Sequence, residues 1–215
     1  MILAINMAMT IDGKVVRPDG KWYGLTSPED KKQMDRYRVW ADALIVGKNS
    51  IINDNPILKV RNVSGAISPR PIVLVRTGTL PKDRHIFEES SDHVPLVVCT
   101  KANEKEIKKN LENVAEIQIL DAKEIDPRKV WGLLKRMGYK KILLEGGPKM
   151  NYSFLEAGLV TRIHITLVPY AIGKGNLVGL LNGEKELEGF DKKSWVLKES
   201  RTVGSEIFLT YDKEG

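Results

Sequence analysis

The chain has 215 residues, 42% hydrophobic and 29% charged, with 34 Lys and Arg against 28 Asp and Glu. That balance fits one globular domain large enough to bury its own core, and it excludes a disordered tail or a fibrous repeat. A lone cysteine, Cys99, excludes a disulfide framework and a cysteine-built zinc site, so a reducing compartment is expected.

Ile2 to Met9 reads as a buried opening strand that turns at Ile11-Asp12-Gly13. Asp12 and Lys14 close this apolar run well short of the ~20 residues a membrane span needs, and no basic leader precedes it. A cytoplasmic globule with no membrane partner is the expectation. Ser27-Pro28-Glu29-Asp30 supplies a cap, a first-turn proline and early acids, which predicts a helix to about Trp40. Ala43 to Val46 is a short strand stopped by Gly47, with a short helix opening after it. Arg61 to Arg70 is the longest loop. Ile72 to Val75 and Leu96 to Cys99 are further strands, and Asn103 to about Leu111 a charged surface helix. Asp126-Pro127 caps a helix carrying Val130, Leu133, Leu134 and Met137 on one face, ended by Gly138. The strand Ile142 to Leu144 runs into Glu145-Gly146-Gly147-Pro148, and a helix from Asn151 to Ala157 stops at Gly158. Ile163 to Val168, then a hairpin from Val196 to Tyr211 broken at Gly204, complete the pattern. Strands and helices alternate, so the fold class is α/β: a central mixed, mostly parallel sheet flanked by helices, with a C-terminal antiparallel hairpin.

Several chemistries are excluded by missing spacings. Gly173-Lys174-Gly175 has Val178 where a dinucleotide fingerprint needs its third glycine, and Gly47-Lys48 is followed by Asn49, not by Ser or Thr. The histidines lack the HExxH spacing of a zinc site, and no GxSxG elbow occurs. His164, between Ile163 and Ile165, reads as a strand side chain. The net charge of +6 is scattered over pairs such as Lys31-Lys32 and Lys140-Lys141, and only 7% of residues are aromatic. Nucleic-acid binding would need those residues clustered on one surface.

Three constellations remain. Ser50 and Asp54 are four apart, sharing a helix face just after a strand end whose backbone N–H groups suit phosphate. The plain alternative is a capping hydroxyl and a helix-ending acid. Glu145-Gly146-Gly147-Pro148-Lys149 sets a carboxylate at the carboxyl edge of a sheet, beside glycines that let a ligand approach the backbone. An ordinary strand-to-helix turn is the alternative. Arg38, Lys59 and Arg61 offer an anchor for a phosphate monoester, or are surface charges.

The succession Met9-Thr10-Ile11-Asp12-Gly13-Lys14, Leu25-Thr26-Ser27, Arg38, Ala43 to Gly47, Ser50, Asp54-Asn55-Pro56-Ile57-Leu58, Arg70-Pro71-Ile72, Leu144 to Pro148 and Phe154 to Val160 resembles the reductase domain of riboflavin biosynthesis. The resemblance runs from Ile2 to about Gly175. It implies a dihydrofolate-reductase-like fold, a single reductase domain over 1–215 without the fused deaminase of bifunctional members, and a homodimer. The implied reaction is NADPH-dependent reduction of a phosphorylated ribosylaminopyrimidine to its ribitylamino form, with hydride delivered to the sugar C1′. The missing deaminase favours the diaminopyrimidinone ring over the aminouracil.

Carried over residue by residue, the resemblance lays Ala8 against the cofactor and places Ser50 and Asp54 at its nicotinamide nucleotide. It sets Arg76, with Thr77, Gly78 and Thr79, near the adenosine 2′-phosphate. Gly147 to Ser153 match the glycine-turn cradle of the pyrophosphate, which makes Gly146, Gly147, Pro148, Lys149 and Met150 cofactor-binding positions. Arg38, Leu58, Arg61 and Glu145 become substrate positions, the two arginines at the 5′-phosphate, where replacement by Met is expected to spare folding. Asp54 or Glu145 orders sugar hydroxyls or relays a proton, and no metal is implied. The chain departs from the family pattern at Gly24, where a Trp is common (Trp22 and Tyr23 are near), at Thr161-Arg162, and at Val75. The rival enzyme reading is a reductase of another pterin or pyrimidine on the same fold, which would have no use for both arginines.

Overall fold

Strands covered on both faces read as unbroken apolar runs, and the centre of this sheet is built of such runs. The computed structural model describes residues 1–20, 26–88 and 92–214; the departure at Gly24, with Trp22, Tyr23 and Leu25, lies outside them. Its strands are β1 (Ile2–Thr10), β2 (Ala43–Gly47), β3 (Arg70–Val75), β4 (Leu96–Thr100), β5 (Glu116–Leu120), β6 (Lys141–Leu144), β7 (Arg162–Val168), β8 (Trp195–Val203) and β9 (Glu206–Lys213). They form one sheet in the order β5-β4-β3-β2-β6-β1-β7-β9-β8. Pairings from β5 through β7 are parallel; β9 runs antiparallel to β7, and β8 antiparallel to β9.

Successive residues point to opposite faces and meet different helices. Leu3, Ile5, Ile45, Ile142 and Leu144 pack on one side with Val130 and Leu134 of α5 (Pro127–Arg136) and Phe154 of α6 (Pro148–Glu156). On the other side Ala4, Leu44, Val46 and Leu143 meet Tyr37 and Trp40 of α1 (Pro28–Trp40), Ile51 of α2 (Lys48–Asp54), and Ile107 and Leu111 of α4 (Glu104–Leu111). A one-turn α3 (His85–Glu88) lies between β3 and β4.

Three elements differ from the sequence expectation, the unanticipated one-turn α3 among them. The helix expected from Asn151 begins at Pro148, because a proline at the first helical position loses no hydrogen bond and has its φ already set. The strand β5 was not anticipated: Glu-Ile-Gln-Ile-Leu sits at the sheet edge with only Leu120 buried, so its apolar signal is weak. His164 is a core side chain as its alternation suggests, stacked on the Tyr37 ring at 3.9 Å and bonded to the Thr210 hydroxyl. Burial, helped by Arg162, holds its pKa down to about 4, so the imidazole is neutral.

The topology opens a crevice at one place. Strand β6 sits between β1 and β2, yet the chain leaves β2 outward toward β3 and leaves β6 across β1 toward β7. Where connections diverge in this way, the carboxyl ends of the strands border a ligand-sized gap. The turn after β1 is fixed beside that gap. Asp12 accepts from the Thr10 hydroxyl at 2.6 Å and from the backbone N–H groups of Ile172 and Gly173. Those bonds, Thr10 first, hold its carboxyl down to about 2. The Thr10-Ile11-Asp12-Gly13-Lys14 motif is thus a structural staple between β1 and the segment following β7.

Candidate active site

The crevice is a cleft of about 1250 Å³. Ala8 reaches it from the end of β1, Ser50 and Asp54 from α2, and Arg76 and Thr77 from the end of β3. Glu145 to Met150 reach it from the turn between β6 and α6, and Leu58 and Arg61 from the long loop after α2. Residues spread over 143 positions of sequence therefore share one wall. Gly78 and Thr79 are the exceptions among the expected site residues, since they are not on the cleft. The Gly78 carbonyl accepts from Asn103 Nδ2 at 2.8 Å, and the Thr79 hydroxyl faces Asn110 on α4. Their part is to pin the loop after β3 onto α4, with Gly78 at φ +64 making the turn.

The cleft floor suits a phosphate-bearing dinucleotide. Helices α2 and α6 follow Gly47 and Gly147, and neither start carries a side-chain cap; at α6, where Pro148 has no N–H and the Met150 N–H bonds the Gly147 carbonyl at 2.9 Å, the Lys149 N–H is left for an anion. A Cβ built at Gly147 finds nothing within 4 Å, which leaves room for a ligand against the main chain. At Gly146 a Cβ would run into Met150 Cε, the far end of a flexible side chain, so a larger residue there needs Met150 to move. Lys48, which sequence reasoning passed over, donates from Nζ to the Thr77 carbonyl at 2.6 Å and ties the α2 start to the Arg76 loop. The exposed Arg76 and this ammonium make the far end of the cleft cationic.

Toward the other end lies a buried charge network that corrects the sequence picture of two equivalent arginines. Arg38 is 2% exposed. It donates from Nε and Nη2 to both Glu145 oxygens at 3.1 and 2.7 Å, and from Nη1 to the carbonyls of Ile57 and Lys59. Burial works against the Arg38 charge, but Glu145 and then Asp35 outweigh it and raise the guanidinium pKa above its ordinary value. Asp35, fully buried, lies 3.7 Å from Arg38 Nη1 and accepts at Oδ2 from the backbone N–H groups of Arg61 and Asn62 and from Asn62 Nδ2. Helix α1 thereby grips residues 57–62 by carbonyls and amides alike. Arg38 is a strut for Glu145 and this loop, whereas the Arg61 side chain is exposed at the cleft. Met at position 38 would not spare folding.

A third acid of the cleft was also missed. Asp30 stands at the third position of α1, where its backbone N–H donates to Ser27 Oγ at 3.1 Å. Its side chain lines the cleft and bonds Thr166 and Thr26. Burial, opposed by the Thr166 bond and reinforced by the charges of Glu206 and Glu145, lifts its pKa to about 6.

Comparison with known proteins agrees with this architecture. The family model for the RibD C-terminal domain matches residues 2–209. Over 212 residues the chain is 29% identical to the 2,5-diamino-6-ribosylamino-4(3H)-pyrimidinone 5′-phosphate reductase of Methanothermobacter thermautotrophicus, covering 98% of this chain and 97% of that one. A pyrimidine reductase-like protein from Corynebacterium diphtheriae superposes with a TM-score of 0.83 at 20% identity, over 100% of this chain and 92% of that chain. Dihydrofolate reductase from Enterococcus faecalis superposes with a TM-score of 0.53 at 13% identity, over 100% and 97%, so the fold is dihydrofolate-reductase-like. The chain belongs to the RibD C-terminal domain family.

Proposed function

We propose that this chain is a reductase of riboflavin biosynthesis that uses NADPH to convert a phosphorylated ribosylaminopyrimidine to its ribitylamino form. The observation that carries the reading is one cleft that joins an open glycine turn at Gly147 to a Glu145 carboxylate braced by Arg38. The diaminopyrimidinone named for the Methanothermobacter relative is the favoured ring. One domain over 1–215, with strands of a single sheet drawn from both ends of the chain, supports the reading. The same reading carries a homodimer in the cytoplasm; among the described residues no helix is long and apolar enough to cross a membrane.

When bound, the nicotinamide supplies hydride; the protein's work is orientation and charge placement. The Gly147 turn and the start of α6 hold the pyrophosphate, while Ala8, Ser50 and Asp54 border the nicotinamide side. Arg76, with Lys48 beside it, receives the adenosine 2′-phosphate. Glu145, fixed by two Arg38 bonds, accepts from sugar hydroxyls and so orders the ribose. Arg61 takes the 5′-phosphate, since a planar guanidinium matches its oxygens and the Arg38 fork is engaged elsewhere.

The test is NADPH oxidation assayed with the diaminopyrimidinone and aminouracil ribosylamine phosphates and with a dephosphorylated analogue. Turnover of a phosphorylated form well above the dephosphorylated one is expected. Equal turnover of both would move the pterin-type reading ahead. Arg61→Met should lower kcat/KM for the phosphorylated substrate by about 10–100-fold, the range of a charge-assisted contact, mainly through KM and with the fold intact. A matching loss on the dephosphorylated analogue would assign Arg61 another part. Arg76→Ala is also exposed and should fold normally. Its NADPH dissociation constant should rise about tenfold or more while NADH binding stays level, and equal weakening of both cofactors would remove the 2′-phosphate assignment.

A further inference from the structure

Ser27-Pro28-Glu29-Asp30 has the spacing of a capping box, in which the third helical acid reaches back to the cap residue's own N–H. In this fold another acid does that work. The Ser27 backbone N–H and hydroxyl both donate to Glu206, brought in by the start of β9, at 2.9 and 2.5 Å. Asp30 is thereby released from the helix end, and its carboxyl turns into the cleft, where Glu145 also lies. The two acids differ in surroundings. Glu145 is neutralised by the fork of Arg38, whereas Asp30 has the Thr166 and Thr26 side chains as hydrogen-bond partners and the acids Glu206 and Glu145 as the charges acting on it. The basic side chains lining the cleft are Lys31, Arg38, Lys48, Arg61, Arg76, His85 and Lys149, of which Arg38 is committed to Glu145 and Lys48 to the Thr77 carbonyl.

We propose that Asp30 is the proton donor of the reaction, protonating the furanose ring oxygen of the bound ribosylamine. The inference rests on the reductase reading above. As the C1′–O4′ bond breaks, the exocyclic nitrogen's lone pair forms the C1′=N bond, and O4′ takes the proton from the Asp30 carboxyl to become the 4′-hydroxyl. C1′ then accepts the hydride that the reduced nicotinamide would supply when bound, and the electron pair returns to nitrogen. One proton and one hydride are consumed, and the Asp30 carboxylate regains its proton from solvent. A carboxyl that burial and two neighbouring acids hold protonated to about pH 6 suits this task better than one locked to a guanidinium.

Asp30→Asn preserves shape and hydroxyl contacts while removing the transferable proton. The parent should show kcat falling as pH rises through about 6 or above, because the donor form is lost. The variant should lose about 100-fold or more in kcat, keep KM within a few-fold, and lack that limb. A second readout needs no turnover. An acid with a raised folded pKa costs stability as the unfolded chain ionises, from about pH 4 upward, so parent and variant should melt together at about pH 3 and below. The variant should become the more heat-stable of the two as pH rises from about 4 to about 6, the difference levelling off above that. A variant that is slow but keeps the pH limb would make Asp30 a positioning residue acting through Thr166, and would overturn the proposal. So would melting curves whose difference does not change with pH. A parent inactive on every ribosylaminopyrimidine phosphate would overturn the reductase reading and this step together. An active parent matched by an equally active variant would overturn the Asp30 step alone.

Discussion

Arg38→Met is expected to destabilise the protein by about 3–5 kcal/mol, the usual cost of removing one partner of a buried ion pair. Met fills much of the volume, so the loss comes from what is stranded. Glu145 has a side chain 12% exposed and would lose both hydrogen bonds that orient it. The Ile57 and Lys59 carbonyls would lose their donor. Asp35 would lose its counter-charge but keep three N–H donors at Oδ2, so it contributes the smaller share. Urea denaturation should show the midpoint falling with little change in slope. The second half of the test is the pair Arg38→Met and Glu145→Gln together. Removing both charges leaves no stranded anion at Glu145, so the double variant should be more stable than Arg38→Met alone. An unchanged midpoint in Arg38→Met, with KM for the phosphorylated substrate raised, would return Arg38 to the substrate phosphate.

That network marks where sequence reading stops. The strands were legible because two-sided burial writes itself as runs such as Ala43 to Val46 and Ile142 to Leu144. The helix starts were legible because caps are local: Ser27 and Asp126 each accept from an amide two or three residues on. The glycine turn after Glu145 and the order of motifs placed the cleft. What could not be read was which charges of Pro28–Trp40 face inward. That helix is charged nearly all round, and the partner of Arg38 lies 107 residues away. Asp30 was hidden for a related reason, since its spacing is that of a cap and the acid that displaces it, Glu206, is 179 residues from Ser27. Gly78 and Thr79 were assigned by resemblance of the segment, and the bonds to Asn103 and Asn110 hold them on α4, just beyond the Arg76 and Thr77 that line the cleft.

Gly147→Val is expected to abolish tight dinucleotide binding while leaving the fold unharmed. Gly147 has φ −71 and ψ 163, an extended conformation that any residue adopts, so Val brings no backbone strain. A Cβ there meets no atom within 4 Å, so the added methyl groups displace no core side chain. They extend from the helix start that borders the cleft, into the space a diphosphate needs to reach the Lys149 N–H at the start of α6. The neighbouring glycine supplies the control. At Gly146 the same substitution drives Cβ into the flexible end of Met150 and to 3.3 Å from Met150 Cβ and Leu144 Cδ1, so Met150 must shift and a modest packing cost is expected before binding is considered. Calorimetry or tryptophan quenching should show NADPH affinity down by about 100-fold in Gly147→Val, equivalent to about 2.7 kcal/mol. Its thermal midpoint should stay with the parent's, while that of Gly146→Val falls. NADH should weaken in parallel, because both dinucleotides share the diphosphate, in contrast to the selective loss expected of Arg76→Ala. Parental NADPH affinity in a well-folded Gly147→Val would place the diphosphate elsewhere and take away the support that this turn lends to the reductase reading.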